Sequence, residues 1–189
     1  MTTVRKKKTT TSLELPKNPL LFEIFHLASK QRSKVKKIEV LKKYHHPAVR
    51  TIFVWNFDTS IISALPEGEV PYSEYDEQNT YSGTLTTKID QQVRRMYETD
   101  SFSIGSSDRN GKTTIRREFK KFYNFVKGGN DGMNNIRRES MFINLLEGLH
   151  PLEAEILCLC KDKKLAEKYN ITKEIVSQSY PEIKWGDES

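Results

Sequence analysis

The sequence predicts a mainly α protein: a multi-helix globular domain with a basic flexible N-terminal arm and a long irregular central segment. Two observations predict it. Apolar residues recur three and four positions apart through 20–28, 115–126 and 136–146, the spacing that gathers them on one helix face. Helix-starting and helix-stopping residues bracket the same stretches, with Asn18-Pro19, Ser33, Pro47 and Pro151 at starts and Gly128-Gly129 and Gly148 at ends. A chain of 189 residues accommodates one domain, or one domain with a small appendage.

Residues 1–17 combine Thr, Lys and two isolated leucines with nothing periodic to bury, so they read as the arm. An N-terminal helical layer fills 18–65. Asn18 and Pro19 supply an N-cap and an N1 proline, and Leu20, Leu21, Ile24, Phe25 and Ala28 form the inward face. Ser33 starts a second helix with Val35, Ile38 and Leu41 inward. Pro47 starts a third, through the β-branched and aromatic run Ile52–Phe57. Periodicity alone fits that run to a strand or a buried helix, and its flanks favour helix. Asp58 is expected to cap one more short helix through Ile61, Ile62 and Leu65.

Residues 66–112 form an irregular acidic connector interrupted by one helix over 86–98, with Ile89, Val93, Met96 and Tyr97 inward. The C-terminal layer, 113–189, begins with a helix capped by Thr113 or Thr114 and carrying Ile115, Phe119, Phe122 and Phe125-Val126. A second helix from about Asn134 carries Ile136, Met141, Phe142, Leu145 and Leu146. Both open with Ile-Arg-Arg-Glu, at 115–118 and 136–139, which predicts a helical hairpin with equivalent opening turns. Pro151 starts a further helix with Ala154, Ile156, Leu157 and Leu159 inward.

The last segment is the most informative about activity. Lys164–Val176 reads as two short helices joined by a tight turn, the local pattern of a helix-turn-helix. Ala166 fits the small residue that faces the partner helix, Asn170 the left-handed turn residue, and Ile171 and Val176 the packing aliphatics. Leu165 and Tyr169 complete the buried side, and Thr172 caps the second helix. That helix would offer Lys173, Ser177 and Gln178 to base edges. Glu174 beside them repels phosphate and Pro181 ends the helix early, and a plain structural corner shares the same packing.

Charge is uneven. Residues 1–65 carry a balance of +9, residues 66–112 of −4 and residues 113–189 of +1, within a total of +6. A polyanion would therefore meet the N-terminal third first, where Arg32, Lys34, Lys36, Lys37, Lys42 and Lys43 surround the second helix with only Glu39 opposing them. The alternative is a solvated tail and an ordinary charged helix face. The pairs Arg94-Arg95, Arg116-Arg117 and Arg137-Arg138 are candidate phosphate or carboxylate grips. Their structural alternative is pairing with Glu118 and Glu139.

Enzyme chemistry finds little support. His26, His45, His46 and His150 lack metal-ligand spacing with Cys or carboxylates, and no nucleophile elbow, paired-carboxylate motif or cofactor motif stands out. Gly105 to Thr113 departs from a P-loop, with five residues between its glycines where that motif has four. Cys158 and Cys160 read as reduced core thiols. No apolar stretch approaches the roughly 18 residues a membrane span needs.

Several blocks carry a resemblance. They are Leu41-Lys-Lys-Tyr44 with Pro47-Ala-Val-Arg50, Trp55-Asn-Phe-Asp58, and Leu65-Pro-Glu-Gly-Glu-Val-Pro-Tyr72. Thr114-Ile-Arg-Arg-Glu118, Phe125-Val-Lys-Gly-Gly-Asn-Asp131, Met141 through Glu155, Lys161-Asp-Lys-Lys-Leu165 and Tyr180 through Gly186 continue the set. Over about 20–186, outside 76–112, the chain resembles a family of proteins encoded by T4-like bacteriophages, including phages of marine cyanobacteria. The resemblance brings no activity or catalytic residue to transfer. It implies a phage gene product made in the cytoplasm of an infected bacterial host, with roles in DNA metabolism, host takeover or particle assembly. The expectation is a non-enzymatic accessory protein, without cofactor, that binds DNA or RNA through the basic third and the terminal corner. A protein-interaction or virion-associated module, with a phage or host protein as partner, is the alternative.

Overall fold

Local hydrogen bonds set where the helices begin. In the computed structural model, which describes residues 14–71, 83–99 and 111–188, the side chain of Ser33 accepts the Lys36 N–H to start α2 (Lys34–Lys43). Thr84, Asn134 and Thr172 do the same for α4 (Leu85–Glu98), α6 (Asn135–Gly148) and α9 (Lys173–Ser179). Two helices start with a less common device, a His-Pro pair. His46 Nδ1 accepts the Ala48 N–H at 3.0 Å to open α3 (Pro47–Phe57). His150 Nδ1 accepts the Leu152 N–H at 3.1 Å to open α7 (Pro151–Lys161).

The first helix starts later than its proline predicts. Asn18 takes a left-handed φ of 56° and cannot act as the extended cap residue. Helix α1 (Leu21–Lys30) is capped instead by Glu23, whose carboxylate accepts the Leu20 N–H at 3.1 Å. Leu15, read as part of the arm, is buried, and its N–H donates to Tyr44 Oη at 3.0 Å. Residues 1–13 of the arm lie outside the described residues, as do 72–82 and 100–110 of the connector.

No helix forms over 58–65. The backbone there pairs with 125–127: Ala64 N–H donates to Phe125 O and Lys127 N–H to Ile62 O, each at 2.8 Å. The helix predicted from Thr113–Thr114 is α only over Ile115–Glu118 (α5), and 119–125 winds more tightly as a 3-10 helix. One carbonyl of that segment, Asn124 O, is taken by Arg138 Nε at 2.8 Å.

One continuous apolar core joins the described helices. Helix α7 is its axis: it packs against α1, α3, α4, α6 and the short α8 (Leu165–Lys168), while α9 packs on α2 and α3. Phe25, Phe53, Phe122, Phe125 and Phe142 are fully buried within it, and burial of each such ring is worth roughly 1.5–3 kcal/mol. Three residues read as inward face solvent instead: Val35 is 64%, Tyr97 44% and Ile136 79% exposed. The two Ile-Arg-Arg-Glu turns are thus not equivalent. Ile115 is sealed in the core, whereas in α6 it is Arg138, not Ile136, that turns inward. No described helix is long and apolar enough to cross a membrane.

Candidate nucleic-acid interface

The terminal corner has the predicted order of helices but not the geometry of a DNA-reading one. Leu165, Tyr169, Ile171 and Val176 are buried as expected. Ala166, however, is exposed, and Asn170 keeps a negative φ. The left-handed residue of this region is Lys163, one turn earlier, with φ 58°. Its ammonium donates to Trp55 O at 2.6 Å and Asp58 O at 2.9 Å, closing the end of α3. The turn at Asn170 is tied to α1 and α2: its carbonyl accepts from Lys37 Nζ at 2.7 Å, and its N–H donates to Ser29 Oγ at 3.1 Å.

The outer side of α9 is likewise occupied. Lys173 pairs with Asp187 at 2.9 Å and Glu188 at 3.1 Å and lies over the Trp185 ring. The hydrogen bond to Asp187 holds the Lys173 ammonium above its ordinary range. Ser177 Oγ donates to Lys173 O at 2.9 Å and accepts from Trp185 Nε1 at 3.0 Å. Gln178 alone of the three stays exposed without a bond to a described residue. The expected reading face of the corner is therefore covered by 185–188 and rimmed by Glu174, Asp187 and Glu188.

The other candidate cations divide into two groups. Four serve the fold. Lys37 and Arg138 are each 5% exposed. Arg138 donates to Asn124 O, Asn130 O and Met133 O and to Asn135 Oδ1, at 2.6–3.0 Å. Lys34 pairs with Glu174, and Arg116 Nε donates to Pro19 O at 2.7 Å. In the second group, Arg32, Lys36, Lys42, Arg117 and Arg137 are exposed and make no ion pair with a described residue. Lys43 makes only a loose contact with Glu14, at 3.6 Å.

Most of this second group lies along one path. Lys36, Lys42 and Lys43 point outward from α2, and the end of that helix runs through His45 into His46. His46 lines a cleft of about 360 Å³ shared with Arg116, Arg117, Asn18, Thr114 and His150. Arg137 lies elsewhere, in the first turn of α6. Four acids border the path: Glu39 exposed on α2 itself, Glu174 paired with Lys34, Glu14 against Lys43, and Glu182 bonded to His45.

Beneath the cleft a carboxyl holds three helix starts together. Glu153, fully buried in the first turn of α7, accepts the Leu21 N–H through Oε2 and the Ile115 N–H through Oε1, each at 3.1 Å. Burial pushes this carboxyl up to about 7, against the pull of those two bonds and of Arg116. Burial likewise holds His150 down to about 4, and burial together with Arg116 and His45 lowers His46. Neither Glu153 nor the two histidines stood out as site residues in the sequence. The signal available was the repeated His-Pro pair, at 46–47 and 150–151.

Fold and site thus define an α-helical protein with a cationic edge that ends in a cleft at converging helix starts. The chain belongs to the Family of unknown function (DUF6433), whose model matches residues 24–109 and 103–167. No curated protein and no solved structure matches it.

Proposed function

We propose that the protein is a non-enzymatic accessory protein that binds nucleic acid, DNA or RNA, along the edge formed by α2 and the Arg116–Arg117 cleft. It would act in the cytoplasm of a bacterial host infected by a T4-like phage. The observation that carries this reading is the run of exposed cations without an acidic partner among the described residues, Arg32, Lys36, Lys42 and Arg117, on a path that ends at a cleft. Cations held this way are free to exchange solvent for phosphate and release condensed counterions. The terminal corner plays no part in it. Fluorescence anisotropy with labelled single-stranded and duplex oligonucleotides at low salt tests it. Combined Lys36→Glu, Lys42→Glu and Lys43→Glu changes should weaken binding strongly, and Gln178→Ala should leave it intact. Equal binding by all variants, or none by the wild type, overturns it.

One observation favours the alternative, a protein-interaction or virion-associated module. An apolar groove of about 360 Å³ lies between α3 and the 119–126 segment, lined by Val54, Trp55, Ile61, Phe119 and Tyr123, with Tyr123 55% exposed. Mass spectrometry of purified particles tests that reading.

A further inference from the structure

The cleft between His46 and His150 has a chemistry of its own, independent of whether a strand lies along α2. In both histidines Nδ1 accepts a backbone N–H, from Ala48 and from Leu152. That nitrogen must therefore carry a lone pair, and the single proton of the neutral ring sits on Nε2. The lowered pKa values agree with neutral rings. Each ring thus presents an Nε2–H donor.

His150 is the more telling of the two. It is 4% exposed, its plane is fixed by stacking on Phe22 at 4.7 Å, and Nε2 makes no hydrogen bond with a described residue. The atom is not sealed in the core either, so it opens into the cleft that the residue lines. A donor held in a fixed plane and bonded to no described residue can give its hydrogen to an acceptor that enters the cleft.

The other walls offer donors as well. The Thr114 hydroxyl makes no cap bond, and Arg117 is exposed at the mouth. Gly111 lets the wall close: a Cβ there would stand 2.8 Å from His150 N and 2.8 Å from Thr113 O. The nearby carboxyls are already committed. Glu153 accepts the Leu21 and Ile115 N–H groups, and Glu118 accepts from the Thr113 hydroxyl and Lys121. Several convergent donors, two of them fixed imidazole N–H groups, match the three terminal oxygens of a phosphate monoester better than the two oxygens of a carboxylate.

We propose that this cleft binds a phosphate monoester, the terminal phosphate of a nucleotide or of a nucleic-acid strand, between the His46 and His150 Nε2–H groups, Thr114 and Arg117. It adds end recognition to the edge proposed above but stands without it, since a free nucleotide needs no contact with α2.

Isothermal titration calorimetry tests it with five probes: inorganic phosphate, a nucleoside, its 5′-monophosphate, and one short oligonucleotide with a 5′-phosphate or a 5′-hydroxyl. The monophosphate should bind where the nucleoside does not, and the 5′-phosphate strand should bind roughly tenfold tighter than its hydroxyl twin. His150→Asn keeps the helix cap, because Asn is a good N-cap residue, while removing the donor. Arg117→Gln changes an exposed side chain. Each should weaken the phosphate probes roughly tenfold; Arg117→Gln should leave the unfolding transition unchanged, and His150→Asn should lower it while the protein stays folded at the assay temperature. Equal affinity of monophosphate and strand identifies the small ligand as the source, and a strand advantage identifies the strand end. The proposal is overturned if no phosphate probe binds, or if 5′-phosphate and 5′-hydroxyl strands bind alike and neither variant matters. The Lys36, Lys42, Lys43 variant separates the two ideas: it should lose strand affinity while keeping the monophosphate.

Discussion

Replacing Glu153 with Gln tests the buried carboxyl that ties α7 to the starts of α1 and α5. Two effects oppose one another. The side chain accepts two backbone N–H groups at 3.1 Å. Gln keeps one acceptor and turns an NH₂ group towards the other donor, a loss of about 1–3 kcal/mol. The carboxyl also carries a pH-dependent penalty. Its folded pKa is raised from 4.5 to about 7 by burial, so between those values the folded chain holds a proton that the unfolded chain has lost. Stability from this group is complete below the unfolded value and falls as pH rises through the folded one, by roughly 3 kcal/mol in all. Gln does not titrate. The variant should therefore be less stable than wild type by about 1–3 kcal/mol near pH 5, and the gap should close or invert near pH 8. Urea unfolding followed by circular dichroism at the two pH values measures this. The histidines titrate in both proteins and drop out of the difference. A gap that stays constant between the two conditions refutes the reasoning.

Arg138→Met should cost about 1–3 kcal/mol in the same urea assay, because it strips hydrogen bonds from Asn124 O, Asn130 O and Met133 O at the turn before α6. The exposed neighbour change Arg137→Met should stay within about 0.5 kcal/mol of wild type. His150 is held neutral in the fold, down to about 4, while the unfolded ring takes its proton near its ordinary value. Its contribution is thus present above the unfolded pKa and lost as pH falls through the folded one, and His150→Asn should lose less melting temperature than wild type between about pH 6.5 and 4. The Cys158 thiol is pushed up to about 12 by burial and Cys160 well above its usual value. Both should resist alkylation until the protein is unfolded in urea.

Helix positions were legible where a local cap decides them. Ser33, Pro47, Asn134 and Pro151 each start a helix, because the cap and the first turn are neighbours in sequence. Asn18-Pro19 failed because Glu23 supplies a rival cap a few residues further on. The segment 58–65 failed because its backbone partners, 125–127, lie some sixty residues away in the chain. The buried cations were illegible for a related reason. Lys37, Lys161 and Arg138 look like surface charges in any periodic reading, yet each is held by carbonyls brought in from other turns or helices. The terminal corner shows the limit of motif matching: side-chain types fitted the slots, but Ala166 faces solvent and the left-handed turn falls at Lys163. At the cleft, the paired His-Pro dipeptides were visible, but not that both rings would face one cavity.

The most direct measurement is the salt dependence of oligonucleotide affinity for the full chain. If Arg32, Lys36, Lys42, Lys43 and Arg117 engage about five phosphates, log K should fall with log salt at a slope of about −3.5 for a single strand or −4.5 for duplex. Charge reversal at Lys36, Lys42 and Lys43 should make that slope shallower by about two to three units, roughly one for each phosphate that is no longer neutralised. A slope near zero, or one that the reversal leaves unchanged, contradicts the cationic edge as a binding surface.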